Sequence, residues 1–249
     1  MQGRNEIIIS DDDFIERFEL NIEEIVEANG FGGHRCFLCD FDFLDHEGDL
    51  GPNCPKCRSR PRTRTLQVLT KIIEEIVPNG VAGGLLAFSK TGLEGKIIDP
   101  LFREVHSVSL FGEYSGKGHK TGIDVRKLEG YSDGSFSGVF GCLLFDYFLE
   151  HSDAISEISR VLAKGGLFFT HIAGKRLREG NQEPMQVGEV KAGEGSFEYL
   201  GSNRMASVSV GVDWFVKEMK KNGFLSCHVR IMDPLSGEEM IWFLGEKMD

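Results

Sequence analysis

DGSFSGVF at residues 133–140, FDYFLEH at residues 145–151 and EISRVLAKGGL at residues 157–167 are the stretches of sequence that decide the fold. The first predicts a turn that leads into a buried strand, and the second predicts a loop that carries an acid and aromatic side chains. The third predicts an amphipathic helix that stops at paired glycines before another apolar strand. A strand, a helix and a strand in this order form one βαβ unit with parallel strands.

Short β-rich runs alternate with helical runs over most of the chain after about residue 80. They lie at residues 84–88, 105–111, 120–123, 139–145, 167–172, 224–232 and 240–244. Parallel strands need long crossover connections, which are usually helices. The pattern therefore predicts an α/β fold with a doubly wound, mostly parallel sheet and helices on both faces.

The chain divides into three predicted segments. Residues 1–30 hold an acidic run followed by apolar side chains at helical spacing, which predicts an N-terminal helix. Residues 31–64 are rich in Gly, Pro, Cys and aromatic residues. This segment needs a source of stability other than an apolar core. Residues 65–249 form the α/β domain, in which the polar, glycine-rich residues 173–210 predict a substrate lid or a partly disordered connection.

Composition and charge limit the classes of function. No apolar run approaches the ~18 to 20 residues of a membrane span, and the first residues lack the basic and apolar parts of a signal peptide. We therefore predict a cytoplasmic protein without a membrane partner. The formal net charge of −11 argues against broad binding to nucleic acid, which depends on clustered cations. The oligomeric state is not determined by these features.

Four of the six cysteines are grouped in two C-x2-C pairs, formed by Cys36, Cys39, Cys54 and Cys57. Each pair places two thiolates on one tight turn, and two such turns supply the tetrahedral sulfur shell that zinc prefers in closed structural sites. We predict a zinc-ribbon-like element in which the metal supports folding, because a closed shell of four thiolates leaves no position for catalysis.

Four arginines alternate directly after the second pair, at Arg58, Arg60, Arg62 and Arg64. The run could hold a phosphate or a carboxylate, because guanidinium groups match both anions. Alternatively, these side chains cap the helix that follows and pair with the acidic surface of the main domain. A third possibility is the basic tail of a nucleic-acid module.

The series at residues 133–167 resembles the class I S-adenosylmethionine-dependent methyltransferases. In that family D-G-S-F-D-x-V leads into the fourth strand, h-x-E-H follows it, and R-V-L-K-P-G-G precedes the fifth. Ser137 replaces an acid of this pattern, and Ala163-Lys164 replaces Lys-Pro. Residues 212–224 are similar to the family's last helix and its entry to the sixth strand. The resemblance covers roughly residues 85–244 and implies a seven-stranded sheet with one antiparallel strand.

The resemblance implies a cofactor site for S-adenosylmethionine in the crevice beyond the carboxyl ends of the strands. The first loop of this site lacks the family's glycine series, as does a zinc-linked subgroup of these enzymes. Phe111 stands where an acid would bind the ribose, and Glu113 is the substitute. The residues expected to bind the cofactor are Phe88, Ser89, Lys90, Glu113, Asp124, Val125 and Phe145.

Methyl transfer to a small-molecule or sugar-like metabolite is the activity that the resemblance implies. The rate of this displacement depends mainly on how the nucleophile is aligned with the methyl group. A base is needed only when the nucleophile arrives protonated. Candidate bases near the crevice are Asp146, Tyr147, His151 and His171. Two alternatives stay open: a noncatalytic scaffold with the same fold, and a nucleic-acid or other macromolecule methyltransferase that uses the zinc segment and the arginine run.

Overall fold

The computed structural model describes residues 7–29, 34–43, 52–77, 81–110, 119–191 and 204–248. Its strands in chain order are β1 (Ile7–Ile9), β2 (Val81–Phe88), β3 (Phe102–Ser109), β4 (Lys120–Thr121), β5 (Phe136–Cys142), β6 (Leu162–His171), β7 (Leu177–Arg178), β8 (Met185–Lys191), β9 (Arg204–Gly211), β10 (Phe224–Met232) and β11 (Glu239–Lys247). The helices are α1 (Asp12–Phe18), α2 (Ile22–Ala28), α3 (Pro61–Ile76), α4 (Gly92–Ile98), α5 (His151–Val161) and α6 (Val212–Lys221).

The large sheet has eight strands in the order β1-β10-β11-β6-β5-β2-β3-β4. Five consecutive strands of the sheet are parallel to one another: β6, β5, β2, β3 and β4. Strand β11 is antiparallel to both of its neighbours, β6 and β10. This arrangement confirms the predicted mostly parallel α/β fold.

The expected count of seven strands is wrong, because β1 adds an eighth strand at the edge. Ile7 pairs with Ile231 and Ile9 pairs with Val229, in an antiparallel register. A run of three isoleucines is too short to show a period in the sequence, and its partner lies more than 200 residues away. Only the folded chain brings the two together.

Helices cover both faces of the sheet. Apolar side chains of α1 to α4 pack on one face with Leu85, Ala87 and Trp242, and those of α5 and α6 pack on the other with Leu86 and Phe243. Successive residues of a strand point to opposite faces, which explains why Leu85 and Leu86 belong to different clusters. Both faces of the sheet are therefore buried beneath helices, as is typical of a mostly parallel sheet.

The N-terminal helix predicted over residues 1–30 is instead two short helices. Glu19 adopts a left-handed conformation with φ 51° and ends α1, and the side chain of Asn21 caps α2 by accepting a hydrogen bond from the Glu24 amide at 3.2 Å. In a continuous helix, Leu20 would lie off the apolar stripe. The break between the two helices turns Leu20 into the core, where the residue is only 8% exposed. Helix α3 begins at Pro61, four residues before the predicted start of the α/β domain at residue 65. Proline suits the first turn of a helix.

The stretch at residues 173–210 contains regular structure. Strands β7, β9 and β8 form a separate three-stranded sheet in that order, in which β8 and β9 are antiparallel. Strand β9 packs against the short 3-10 turns at Leu144–Asp146 and Gly174–Arg176. This small sheet therefore lies beside the carboxyl end of β5.

None of the helices in the described residues has the length and apolar character needed to cross a membrane.

Candidate active site

The strand order reverses between β2 and β5. From β2 the chain continues outward through β3 and β4, and then returns to β5 on the other side of β2. Phe88 and Gly141 pair near the carboxyl ends of these two strands. In an open α/β sheet, such a reversal opens a crevice in which ligands bind. Of the predicted site residues, Ser89 and Lys90 follow β2, and Asp146 and Tyr147 follow β5.

The loop after β2 has the backbone shape of a glycine-rich turn without its glycines. Ser89 has φ 49°, in the left-handed region that favours glycine, and its amide donates to the Val108 carbonyl at 2.8 Å. Phe88 is buried in the core, and Lys90 forms an ion pair with Asp99 at the end of α4. Ser89 and Lys90 are both partly buried.

Helix α4 starts at this loop with a capping box. The Thr91 hydroxyl accepts from the Glu94 amide at 3.3 Å, and the Glu94 carboxylate accepts from the Thr91 amide at 2.6 Å. Glu94 is only 1% exposed and also accepts a hydrogen bond from Arg62 at 3.2 Å. The arginine run is thus joined to the start of the crevice, a link that the sequence analysis did not identify.

Asp124 follows β4 and is held by Arg126. Its carboxylate accepts from the Arg126 amide at 2.9 Å and from the guanidinium at 2.7 Å. Burial acts to raise the pKa of the Asp124 carboxyl, but the hydrogen bonds and the charge of Arg126 outweigh it and hold the pKa below its usual value. Arg126 also binds Glu150 at 3.0 Å and lies over the Phe148 ring. Sequence reasoning missed Arg126, although its position two residues after an acid was visible.

Val125 and Phe145, two further predicted cofactor residues, lie with Phe88 in the core cluster beneath the crevice. Phe145 is completely buried, and its carbonyl oxygen lies 2.8 Å from the His151 Nε2. Phe111 and Glu113 lie outside the described residues.

Asp146 lies at the carboxyl end of β5 in a buried, partly satisfied environment. Its Oδ1 accepts a hydrogen bond from the Ala173 amide at 3.2 Å and lies 4.0 Å from the Arg176 Nε. Its Oδ2 has no hydrogen-bond partner among the described residues. Burial raises the pKa of the carboxyl to about 6. A carboxylate that gains a proton near neutral pH is suited to acid–base chemistry. Tyr147 follows it and is half-buried.

The two predicted histidines are buried and neutral. The His151 Nε2 lies 2.8 Å from the Phe145 carbonyl oxygen, and the His171 Nδ1 lies 2.9 Å from the Ile241 carbonyl oxygen. Burial lowers the pKa of each ring to about 4. His151 packs edge-on against Phe145 and belongs to the aromatic core, whereas His171 lines a cleft.

Residues 111–170, which include β5, α5 and most of β6, match the family model described as methyltransferase domain. This part of the chain is therefore similar to methyltransferase domains, and the match supports an enzyme. No curated protein matches the sequence.

Two solved methyltransferases resemble the fold at TM-score 0.50. One is the 1,6-didemethyltoxoflavin-N1-methyltransferase of Burkholderia thailandensis with bound 1,6-didemethyltoxoflavin and S-adenosylhomocysteine, which has 13% identity over 75% of this chain and 78% of its own. The other is the CurJ carbon methyltransferase, with 12% identity over 77% of this chain and 56% of its own. At these identities the likeness shows the fold alone.

The four cysteines ahead of the α/β domain form one cluster. Their sulfur atoms all lie within 4.8 Å of one another, and the Cys36–Cys57 and Cys39–Cys54 pairs are each 3.7 Å apart. Four thiolates at ~2.3 Å from a tetrahedral zinc ion would be about 3.8 Å apart. The two closest pairs have this spacing, and the cluster as a whole suggests a metal site.

Both C-x2-C turns end on a left-handed residue, which is Asp40 with φ 55° after the first pair and Arg58 with φ 62° after the second. The Asp40 and Arg58 amides donate to the carbonyls of Cys36 and Cys54, each at 2.9 Å. The two halves of the cluster thus share one backbone geometry.

The arginine run connects the cluster to the α/β domain. Arg64 is completely buried against Asp233 of the β10–β11 turn, and Arg62 reaches Glu94. Two of the four arginines thus pair with acids of the main domain, but these acids are buried and do not belong to its acidic surface, and Arg60 at the start of α3 makes no side-chain cap. Arg58 and Arg60 are exposed.

A cleft of about 730 Å³ opens between the cysteine segment and the α/β domain. Its wall includes Asn53, Arg60, His171, Lys175 and Glu238. A volume of this size is typical of small-molecule sites.

Proposed function

We propose that this protein is an S-adenosylmethionine-dependent methyltransferase that acts on a small-molecule or sugar-like metabolite. The observation that carries the proposal is the coincidence of the family match with the strand reversal at β2 and β5, where Asp146 is buried. The toxoflavin enzyme that shares the fold was solved with a small molecule, which supports a small acceptor here.

Residues after β2 and β4 would hold the cofactor. The left-handed Ser89 brings the backbone close to the crevice, as a glycine would in a turn that approaches a ligand. The Asp124 carboxylate would accept from the adenine amine, and Val125 would donate its amide. Glu113 would bind the ribose. When bound, the cofactor supplies an electrophilic methyl group on a sulfonium.

Asp146 is our candidate for the general base. Its carboxyl has a pKa of about 6, so that most molecules carry the carboxylate at pH 7 and can accept a proton from an acceptor hydroxyl or amine. Arg176, 4.0 Å away, would stabilise the charged form. Tyr147 and His171 would line the acceptor side. His151 is a positioning residue in this proposal, because its ring supports the carbonyl of Phe145.

The four cysteines would hold a structural zinc ion. A shell of four thiolates has no open position, so that the metal would contribute stability and not catalysis. Its binding free energy would support residues 34–43 and 52–60, which have a small apolar cluster around Phe43.

A noncatalytic scaffold is the second candidate, and one observation favours it. The Arg126 guanidinium already donates hydrogen bonds to both oxygens of the Asp124 carboxylate. This carboxylate is the group that would accept from the cofactor amine. The guanidinium would have to share this carboxylate or leave it when the cofactor binds.

Calorimetric titration of the zinc-loaded protein with S-adenosylhomocysteine tests the proposal. We expect binding in the wild type, at least ten-fold weaker binding in Asp124→Ala, and unchanged binding in the control Glu129→Ala, which alters an exposed acid a few residues along the chain. Absence of heat with the folded wild type would favour the scaffold.

A further inference from the structure

The cleft of about 730 Å³ is assembled from parts of the chain that are distant in sequence. Asn53 comes from the cysteine segment, Arg60 from the start of α3, Lys175 from the turn after β6, and Glu238 from the turn before β11. Three of these four segments belong to connections, which is where binding residues usually lie. The fold therefore brings two cations together on a protein whose net charge is −11.

Some of the charged side chains that line the cleft form ion pairs, and others do not. Arg60 and Lys175 are exposed, and neither forms an ion pair within the part of the chain that the structure describes. Arg62 pairs with the buried Glu94. Two acids also line the cleft: Glu239, which pairs with Arg230 at 2.9 Å, and Glu238.

The start of α3 adds to the positive potential of the cleft. Arg60 precedes this 16-residue helix without a side-chain cap, and Pro61 occupies its first turn. Both residues line the cleft, so that the positive end of the helix dipole lies at its wall.

The cleft also borders the predicted base. Ala173 lines it and donates its amide to the Asp146 carboxylate at 3.2 Å. His171 lines it as well, and its Nδ1 donates to the Ile241 carbonyl, which leaves Nε2 as an acceptor. A molecule held by Arg60 and Lys175 would have its other end close to these groups.

We propose that this cleft binds the methyl acceptor and that the acceptor is a small anionic molecule, whose carboxylate or phosphate is held by Arg60 and Lys175. The inference rests on the proposed function, because it gives the chemical class of that enzyme's substrate. Arginine and lysine bind both anions, arginine with two parallel hydrogen bonds and lysine as a point charge.

Two simple anions probe the cleft in the full-length, zinc-loaded protein. We expect inorganic phosphate or succinate to bind by calorimetry at low ionic strength, and Arg60→Gln/Lys175→Gln to weaken this binding at least ten-fold. The control Arg103→Gln/Lys217→Gln removes the same two charges from exposed positions elsewhere and should bind as the wild type does. Preference for phosphate indicates a phosphorylated acceptor, and preference for succinate indicates a carboxylic acid.

The same samples, titrated with S-adenosylhomocysteine, separate the two proposals. Cofactor binding with no anion binding, or with anion binding that the Arg60/Lys175 variant retains, overturns the anionic acceptor and leaves the methyltransferase. Anion binding without cofactor binding overturns the methyltransferase and, with it, the role of the cleft as an acceptor site.

Discussion

Arg64 and Asp233 form a fully buried bidentate ion pair, with Nε–Oδ1 and Nη2–Oδ2 distances of 2.7 Å. The same guanidinium donates to the carbonyl oxygens of Ser59 and Pro52, on the segment that carries the second cysteine pair. Asp233 in turn accepts from the Ser236 amide and hydroxyl, each at 2.8 Å. One arginine therefore joins the cysteine segment, α3 and the turn between β10 and β11.

Arg64→Ala should destabilise the protein by about 3–5 kcal/mol, because it leaves the Asp233 carboxylate buried without its partner. Urea denaturation measures the change. Arg35→Ala removes an exposed pair with Asp40 and should cost less than about 1 kcal/mol. Similar losses in the two variants would contradict the role of the buried pair.

Asp146→Asn should stabilise the protein at pH 7 relative to the wild type, by about 3 kcal/mol as an upper estimate from the raised pKa. Burial raises the folded-state pKa above its usual value, so the charge penalty is absent below about pH 4 and grows as the pH rises to 6. Thermal melts from pH 4 to pH 8 measure the difference. A difference that does not change with pH would show that the carboxyl titrates normally.

The same variant tests the catalytic proposal. Once an acceptor is known, kcat/KM of the wild type should fall below an apparent pKa near 6, where the base becomes protonated. Asp146→Asn should lose this dependence together with at least a hundred-fold of activity. Full activity of the variant would remove Asp146 from the chemistry.

Ser89→Gly should raise the stability by up to about 1 kcal/mol, because glycine adopts the left-handed conformation at φ 49° without a steric penalty. The melting temperature measures the gain. Ser135→Gly is the matched control, since Ser135 lies in a loop without positive φ and should lose a few tenths of a kcal/mol. A loss of stability in Ser89→Gly would mean that its side chain makes a contact that outweighs the strain.

Removal of one cluster cysteine should abolish a bound zinc ion. We expect about one zinc per chain in the wild type by elemental analysis, and little in Cys54→Ser, whose melting temperature should also fall. Cys142→Ser keeps all four ligands and should retain the metal, because Cys142 lies at the end of β5. Equal zinc content in the two variants would contradict a four-cysteine site.

Several features were predictable because the signal is local. The order of elements along residues 133–167 gave β5, α5 and β6, with β5 beginning at Phe136, three residues before the predicted start. The two C-x2-C pairs predicted a cluster that the structure brings together. In each case neighbouring residues carry the whole pattern.

The site was harder to predict, since its properties depend on packing. Asp146 could be proposed from its position after a strand, but its raised pKa comes from burial under the turn at residues 173–176. Arg126 could not be recognised as the partner of Asp124 without the turn that folds it back. The single N-terminal helix predicted over residues 1–30 is two short helices, because Glu19 adopts a left-handed conformation and Asn21 caps α2.

The sequence alone determined the alternation of strands and helices and the grouping of the thiols, because hydrophobic period and ligand spacing are short-range properties of the chain. Tertiary structure decided where the arginines go, which strand covers the sheet edge and which cations face the cleft. Arg64 and Asp233 are 169 residues apart in the chain. Such contacts form only when the core has folded, because burial and charge pairing depend on distances in space.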